Sequence, residues 1–107
     1  MERLKRIDML LEMLSKEPDD VFLNYALGIE YIGELDVLHS EIQFKKVLEM
    51  NADYIAAYYQ LGKLFESQLK NTEALLYYKL GLEKAKIQKN NKAINEFGEA
   101  IFMLEDS

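Results

Sequence analysis

Any chemistry in this 107-residue chain would have to begin at His39, its single histidine. An imidazole becomes a catalytic base only beside a nucleophile, and a metal site only beside further ligands. The serines, Ser15, Ser40, Ser67 and Ser107, suggest no triad by their spacing. Cysteine is absent, which removes disulfides, thiolate zinc sites, iron–sulfur ligation and cysteine nucleophiles. One histidine also rules out a paired-histidine metal site. The adjacent Asp19 and Asp20 imitate a carboxylate dyad, but they follow Pro18 at the start of an apolar-periodic segment, where helix capping is the simpler role. There is no glycine-rich phosphate loop, calcium loop or HExxH pattern. Lys84, Lys86, Lys89 and Lys92 form either a small anion patch or, more simply, a solvated helix end whose cations complement the dipole. The residues thus predict no catalytic group, no metal and no cofactor.

Charge narrows the partners. Thirteen basic residues against nineteen acidic ones give a net charge of −6. Residues 1–52 carry −5 of it and residues 53–107 carry −1. An acidic chain repels phosphate backbones, so no nucleic-acid partner is expected. The opening Met1-Glu2-Arg3-Leu4-Lys5 intersperses charges and lacks the apolar block of a signal peptide. No run approaches the roughly 18 apolar residues of a membrane span. The expectation is therefore a cytoplasmic protein with no membrane partner. With half its residues apolar and 30% charged, the chain has material for both a core and a solvated surface, so disorder is not its main state.

The elements that must position these side chains are helices. Turn-forming or capping residues stand at Pro18-Asp19-Asp20, Gly33 to Asp36, Asn51 to Asp53, Asn71-Thr72 and Asn90-Asn91. They cut the chain into six segments of similar length, each with Asp or Asn where an N-cap is wanted. Within the segments, apolar residues recur at helical spacing. Examples are Leu4, Ile7, Leu10, Leu11, Leu14 in the first and Ile94, Phe97, Ile101, Leu104 in the last. Glycine is scarce and no Asn-Gly turn occurs. Six antiparallel helices with short connections are predicted.

A shift of 34 residues lays the middle of the sequence on itself. Leu27 falls on Leu61, Gly28 on Gly62, Tyr31 on Phe65, Phe44 on Tyr78 and Leu48 on Leu82. Glycine within a helix costs about 1 kcal/mol against alanine, so a repeated Leu-Gly marks a close approach of two helices. On these residues the chain resembles the tetratricopeptide repeat family. Tyr58, Leu61, Gly62, Phe65, Ala74 and Tyr78 match the family pattern over residues 55–88. Asn24, Leu27, Gly28, Tyr31, Ser40 and Phe44 match it over residues 21–54, with Asn24 in place of the aromatic and Ser40 in place of the small apolar residue. Ala52 and Lys86 replace the closing prolines.

The resemblance implies an all-α, right-handed α-solenoid of antiparallel helix pairs forming a single domain over residues 1–107. Residues 1–17 are a leading half-repeat helix, 21–54 and 55–88 are two repeats, and 91–105 form a capping helix in the first-helix place. In that last segment, Ala93 and Phe97 suit a second helix, whereas Phe97-Gly98 followed by Ile101 suits a first.

First helices of the family line a concave groove that binds a partner protein or peptide. Carried over by position, the first repeat presents Phe22, Tyr25, Ile29 and Ile32, and the second presents Tyr59, Gln60, Lys63, Glu66 and Ser67. The capping helix adds Lys92, Asn95 and Glu99. The Lys and Asn that clamp a terminal carboxylate in one branch of the family are Tyr25 and Ile29 here, so chaperone-tail binding of that type is not expected. The surface suits an extended or helical peptide with hydrophobic anchors. Packing between neighbouring helices is an equal alternative for Tyr25, Ile29 and Tyr59, although tyrosine suits a surface with one dry and one wet side. A second role is self-association. Ile101, Phe102, Met103 and Leu104 are four consecutive apolar residues that one buried stripe cannot hide, and a homodimer would bury the surplus.

Overall fold

The computed structural model describes residues 2–106 of the chain. Met1 and Ser107, the ends of the expected domain, lie outside the described residues. Six α-helices account for nearly all the rest: α1 Glu2–Lys16, α2 Val21–Gly33, α3 Val37–Met50, α4 Ile55–Ser67, α5 Asn71–Ile87 and α6 Asn91–Glu105. No strand occurs among the described residues, and the fold is all-α as predicted. The chain divides into two compact units, one ending at Ala52 and the other starting at Asp53.

In the first unit α2 packs against both α1 and α3. Its core is Leu23, Leu27, Phe44 and Val47, with Ile7 of α1. The missing side chain of Gly28 decides how closely α2 and α3 approach, because a Cβ there would stand 2.6 Å from the Phe44 ring. The two replacements of the family pattern are both buried and both hydrogen-bonded. Ser40 Oγ donates to the Gly28 carbonyl at 3.4 Å. Asn24 Nδ2 donates to the carbonyls of Pro18 (3.0 Å) and Asp20 (2.8 Å), and its Oδ1 accepts from Gln43 Nε2. Buried polar groups that find all these partners carry little desolvation penalty. Arg6 bonds Glu30 at 2.8 Å and Arg3 reaches the Gly33 carbonyl at 3.1 Å, setting α1 on α2.

In the second unit α5 packs against both α4 and α6. The core holds Ala57, Tyr58, Leu61, Leu64, Phe65, Ala74, Tyr78, Ala85 and Phe97. Gly62 lies under the Tyr78 ring as Gly28 lies under Phe44, and Gly81 lies under Phe97 in the same way. Each glycine precedes its ring by 16 residues. The third contact involves Leu80-Gly81 on α5, a Leu-Gly with no aromatic three residues on, since Lys84 stands there. Gly98, which the sequence offers as a first-helix glycine, has nothing within 4 Å of where its Cβ would be.

Capping follows expectation at three starts and departs from it at two. Asp20, Asp36 and Asn90 accept the N–H groups of Leu23 (2.9 Å), His39 (3.1 Å) and Ala93 (3.1 Å). By contrast α4 starts after Tyr54 and α5 after Lys70, neither with a side-chain cap bond. Asp53, expected near the α4 cap, instead pairs with Lys84 at 3.3 Å and accepts Gln88 Nε2 on its carbonyl at 2.7 Å. The close of α5 thus takes the aspartate away from the start of α4.

Helices α2, α4 and α5 end alike. Leu35, Leu69 and Lys89 have φ of 60°, 62° and 57°, in the left-handed region. The following residue returns its N–H to the carbonyl five positions back: Asp36 to Tyr31, Lys70 to Phe65, Asn90 to Ala85. This is a Schellman closure, for which glycine or asparagine is the usual choice.

Candidate functional site

On the second unit α4, α5 and α6 leave a cleft of about 360 Å³, lined by Tyr59, Lys63, Glu66, Tyr78, Glu96, Glu99, Ala100 and Met103. Helical spacing explains the lining. Tyr59, Lys63 and Glu66 follow one another at four and three residues along α4, and Glu96, Glu99, Ala100 and Met103 form one stripe of α6. A hollow of about 190 Å³ lies beside Ile55, Ala56, Tyr59, Ala93 and Glu96. A third, of about 230 Å³, is bounded by Lys63, Glu66 and Ser67. Together they run along one face of α4 from its start to its end.

The floor is aromatic and held in place. The Tyr59 ring lies 5.8 Å from Tyr78 and 5.7 Å from Phe97, the latter edge-on. Lys63 Nζ stands 5.9 Å from the Tyr59 centroid, within cation–π range. Tyr78 is fully buried, yet its hydroxyl donates to Glu66 Oε1 at 2.8 Å. Burial first, and then that bond to a carboxylate, push the Tyr78 phenol well above the ordinary tyrosine range. It therefore stays a neutral donor that orients Glu66 at the edge of the cleft.

The groove residues named from sequence in the second unit, Tyr59, Lys63 and Glu66, all line this cleft. Ser67 and Glu99 are also on the lining, whereas Gln60, Lys92 and Asn95 are not among its residues. In the first unit Phe22 is exposed, and Tyr25, Ile29 and Ile32 are half-buried on α2. Tyr25 packs on Phe44 at 5.5 Å, the counterpart of Tyr59 on Tyr78. Both tyrosines thus pack on a ring of the following helix and remain half-exposed.

Of the apolar C-terminal run, Ile101 and Leu104 are half-buried while Phe102 and Met103 are exposed. Met103 lies on the cleft rather than on a separate patch. Sequence reasoning missed Glu96, Ala100 and the Tyr78 hydroxyl. The signals that would have found them are the stripe at 96, 99, 100 and 103 and the 16-residue spacing from Gly81 to Phe97, which turns that stripe toward α4.

The groups first considered for chemistry are explained locally. His39 Nδ1 lies 2.8 Å from Asp36 Oδ2 at the start of α3, on an exposed surface. Asp20 is a cap. Of the lysine run, Lys84 pairs with Asp53 and Lys86 lies 3.9 Å from Glu83. Among the described residues no three of His, Cys, Asp and Glu are grouped as a metal site needs, and no helix is long and apolar enough to cross a membrane.

No protein-family model matches the sequence, and no curated relative does. Solved structures are similar. The crystal structure of a tetratricopeptide repeat domain protein from Salinibacter ruber shares 30% identity, with a TM-score of 0.76 over 81% of this chain and 97% of that one. A solution structure of a tetratricopeptide repeat domain protein from the same organism has 30% identity and a TM-score of 0.79, over 83% and 90% of the two chains. A Bordetella parapertussis protein solved in solution shares the fold at 21% identity, with a TM-score of 0.83 over 94% and 87%.

Proposed function

The chain belongs to the tetratricopeptide repeat family, and from that premise we propose that it is a protein-interaction module that holds a peptide segment of another protein along the α4 face. In this reading α2–α3 and α4–α5 are its two repeats, α1 and α6 flank them, and it works in the cytoplasm as a scaffold without catalysis. The observation that carries the proposal is the convergence of Tyr59, Lys63 and Glu66 on one cleft, continued by hollows at both ends of α4. A segment lying there would rest on a ring already fixed by two others, so little side-chain ordering remains to oppose binding.

The test is a photoreactive benzoylphenylalanine placed at Ser67, on the groove, or at Glu73, exposed and outside the lining. Adducts with a partner are expected from the first position and not the second. Equal labelling from both would sink the groove.

Self-association through α6 is a second reading, favoured by the exposure of Phe102 at 68%. Light scattering across a dilution series would then show a dimer at high concentration that Phe102→Glu abolishes. A monomer throughout removes this reading.

A further inference from the structure

Resting on the reading that the α4 face binds a segment of another protein, we propose that its main cleft takes a cationic side chain of that segment, an arginine or a lysine. The cleft carries three carboxylates against one ammonium. Two of these four charges are already engaged: Glu66 accepts the Tyr78 hydroxyl, and Lys63 lies over the Tyr59 ring. Glu96 and Glu99 make no ion pair among the described residues. The unit as a whole is close to neutral, since residues 53–107 sum to −1, so negative charge is gathered here rather than spread.

Position sharpens the match. Glu96 and Glu99 stand on the same stripe of α6 as Ala100 and Met103, so carboxylates alternate with apolar surface beside the aromatic floor. A long apolar stem ending in a cation covers both kinds of surface at once. A guanidinium also stacks on an aromatic face while its edge bonds carboxylate. An acidic side chain would meet net repulsion in this cleft. A purely apolar one would strip water from Glu96 and Glu99 and return no partner.

The experiment selects random dodecapeptides displayed on phage against the intact chain, then measures the winners on the wild type and on E96Q/E99Q. Both glutamates are exposed, so the amides keep shape and fold, which circular dichroism verifies. The expected result is enrichment of Arg and Lys, with binding weakened about fivefold or more in the double variant and by raised salt. Basic peptides indifferent to E96Q/E99Q would overturn the proposal. Winners without basic residues that still label benzoylphenylalanine at Ser67 would overturn it too, while leaving the groove reading intact. If no peptide is selected, or the winners attach away from Ser67, both fall together.

Discussion

In the first unit the ring that covers the α2 glycine is Phe44; in the second the ring over the α4 glycine is Tyr78, 34 residues later. The backbone approach is the same and the surroundings are not. Around Phe44 the buried polar atoms belong to Asn24 and Ser40, and their bonds run inward, to the carbonyls of Pro18, Asp20 and Gly28. Tyr78 has the matching ring neighbour, Tyr59 where Phe44 has Tyr25, but its hydroxyl bonds Glu66 at the edge of the cleft. The α2 positions matching Lys63 and Glu66 are Ile29 and Ile32. A repeat therefore fixes where two helices meet, while the residues on either side decide whether polar bonding serves the fold or a surface.

The sharpest way to break that comparison is at Asn24. Asn24→Ala takes the partner from the Pro18 carbonyl and the Gln43 amide, while the Asp20 carbonyl keeps the backbone N–H of residue 24, at a cost of about 2–3 kcal/mol. Urea denaturation monitored by circular dichroism measures it. A loss below about 1 kcal/mol would mean that the inward network does not hold the first unit together. The next test transplants the second unit's chemistry. Phe44→Tyr alone buries a hydroxyl opposite Ile32 and should destabilise by about 1–2 kcal/mol. Adding Ile32→Glu supplies the acceptor that Glu66 provides to Tyr78, and a double-mutant cycle should recover about 1 kcal/mol. Simple additivity would show that the two units differ by more than this pair.

What the sequence made legible follows the same division. The six helices and the Gly28 and Gly62 contacts could be read because periodicity and the 34-residue shift report on a helix's own face. Tyr59, Lys63 and Glu66 came with the resemblance, because they share α4 with the Leu-Gly contact. Glu96 and Ala100 did not, because helical spacing says which residues share a stripe and not which neighbour that stripe meets. Phe97-Gly98 imitates Leu-Gly, yet the close approach is made by Leu80-Gly81 on the preceding helix. The caps at Tyr54 and Lys70 were equally hidden, since Asp53 and Asn71 are good capping residues whose use depends on contacts made by the rest of the unit.

Alkaline pH separates the two units more gently. Burial raises the phenols of Tyr58 and Tyr78 in the second unit, and of Tyr31 in the first, where Asp36 adds to the effect. A raised folded-state value means that the unfolded chain loses these protons first. Stability is then fully present below about pH 10 and falls as pH climbs through and above it. Urea midpoints between pH 8 and pH 11.5 should decline beyond about pH 10. The decline should be shallower in Tyr78→Phe, which removes the most strongly shifted phenol, than in Tyr31→Phe. Equal slopes would refute the assignment of the largest burden to the second unit.

The smallest effect tests a feature in which the units agree. Leu35 and Leu69 occupy matching places, each 86% exposed and each in the left-handed region at the end of a first helix. A leucine there strains its Cβ against the backbone and, so exposed, gains little burial in return. Glycine removes the strain but adds unfolded-state entropy, so Leu35→Gly and Leu69→Gly should each stabilise by only about 0.5 kcal/mol. Asparagine, which tolerates this region with less entropy cost, should do slightly better. Thermal melts of the single and double variants would show it. If both positions gain alike, the closure is a backbone property common to the repeats. A gain at one position and a loss at the other would mean that one of these leucines packs usefully in solution, and that the equivalence of the two turns ends at their dihedral angles.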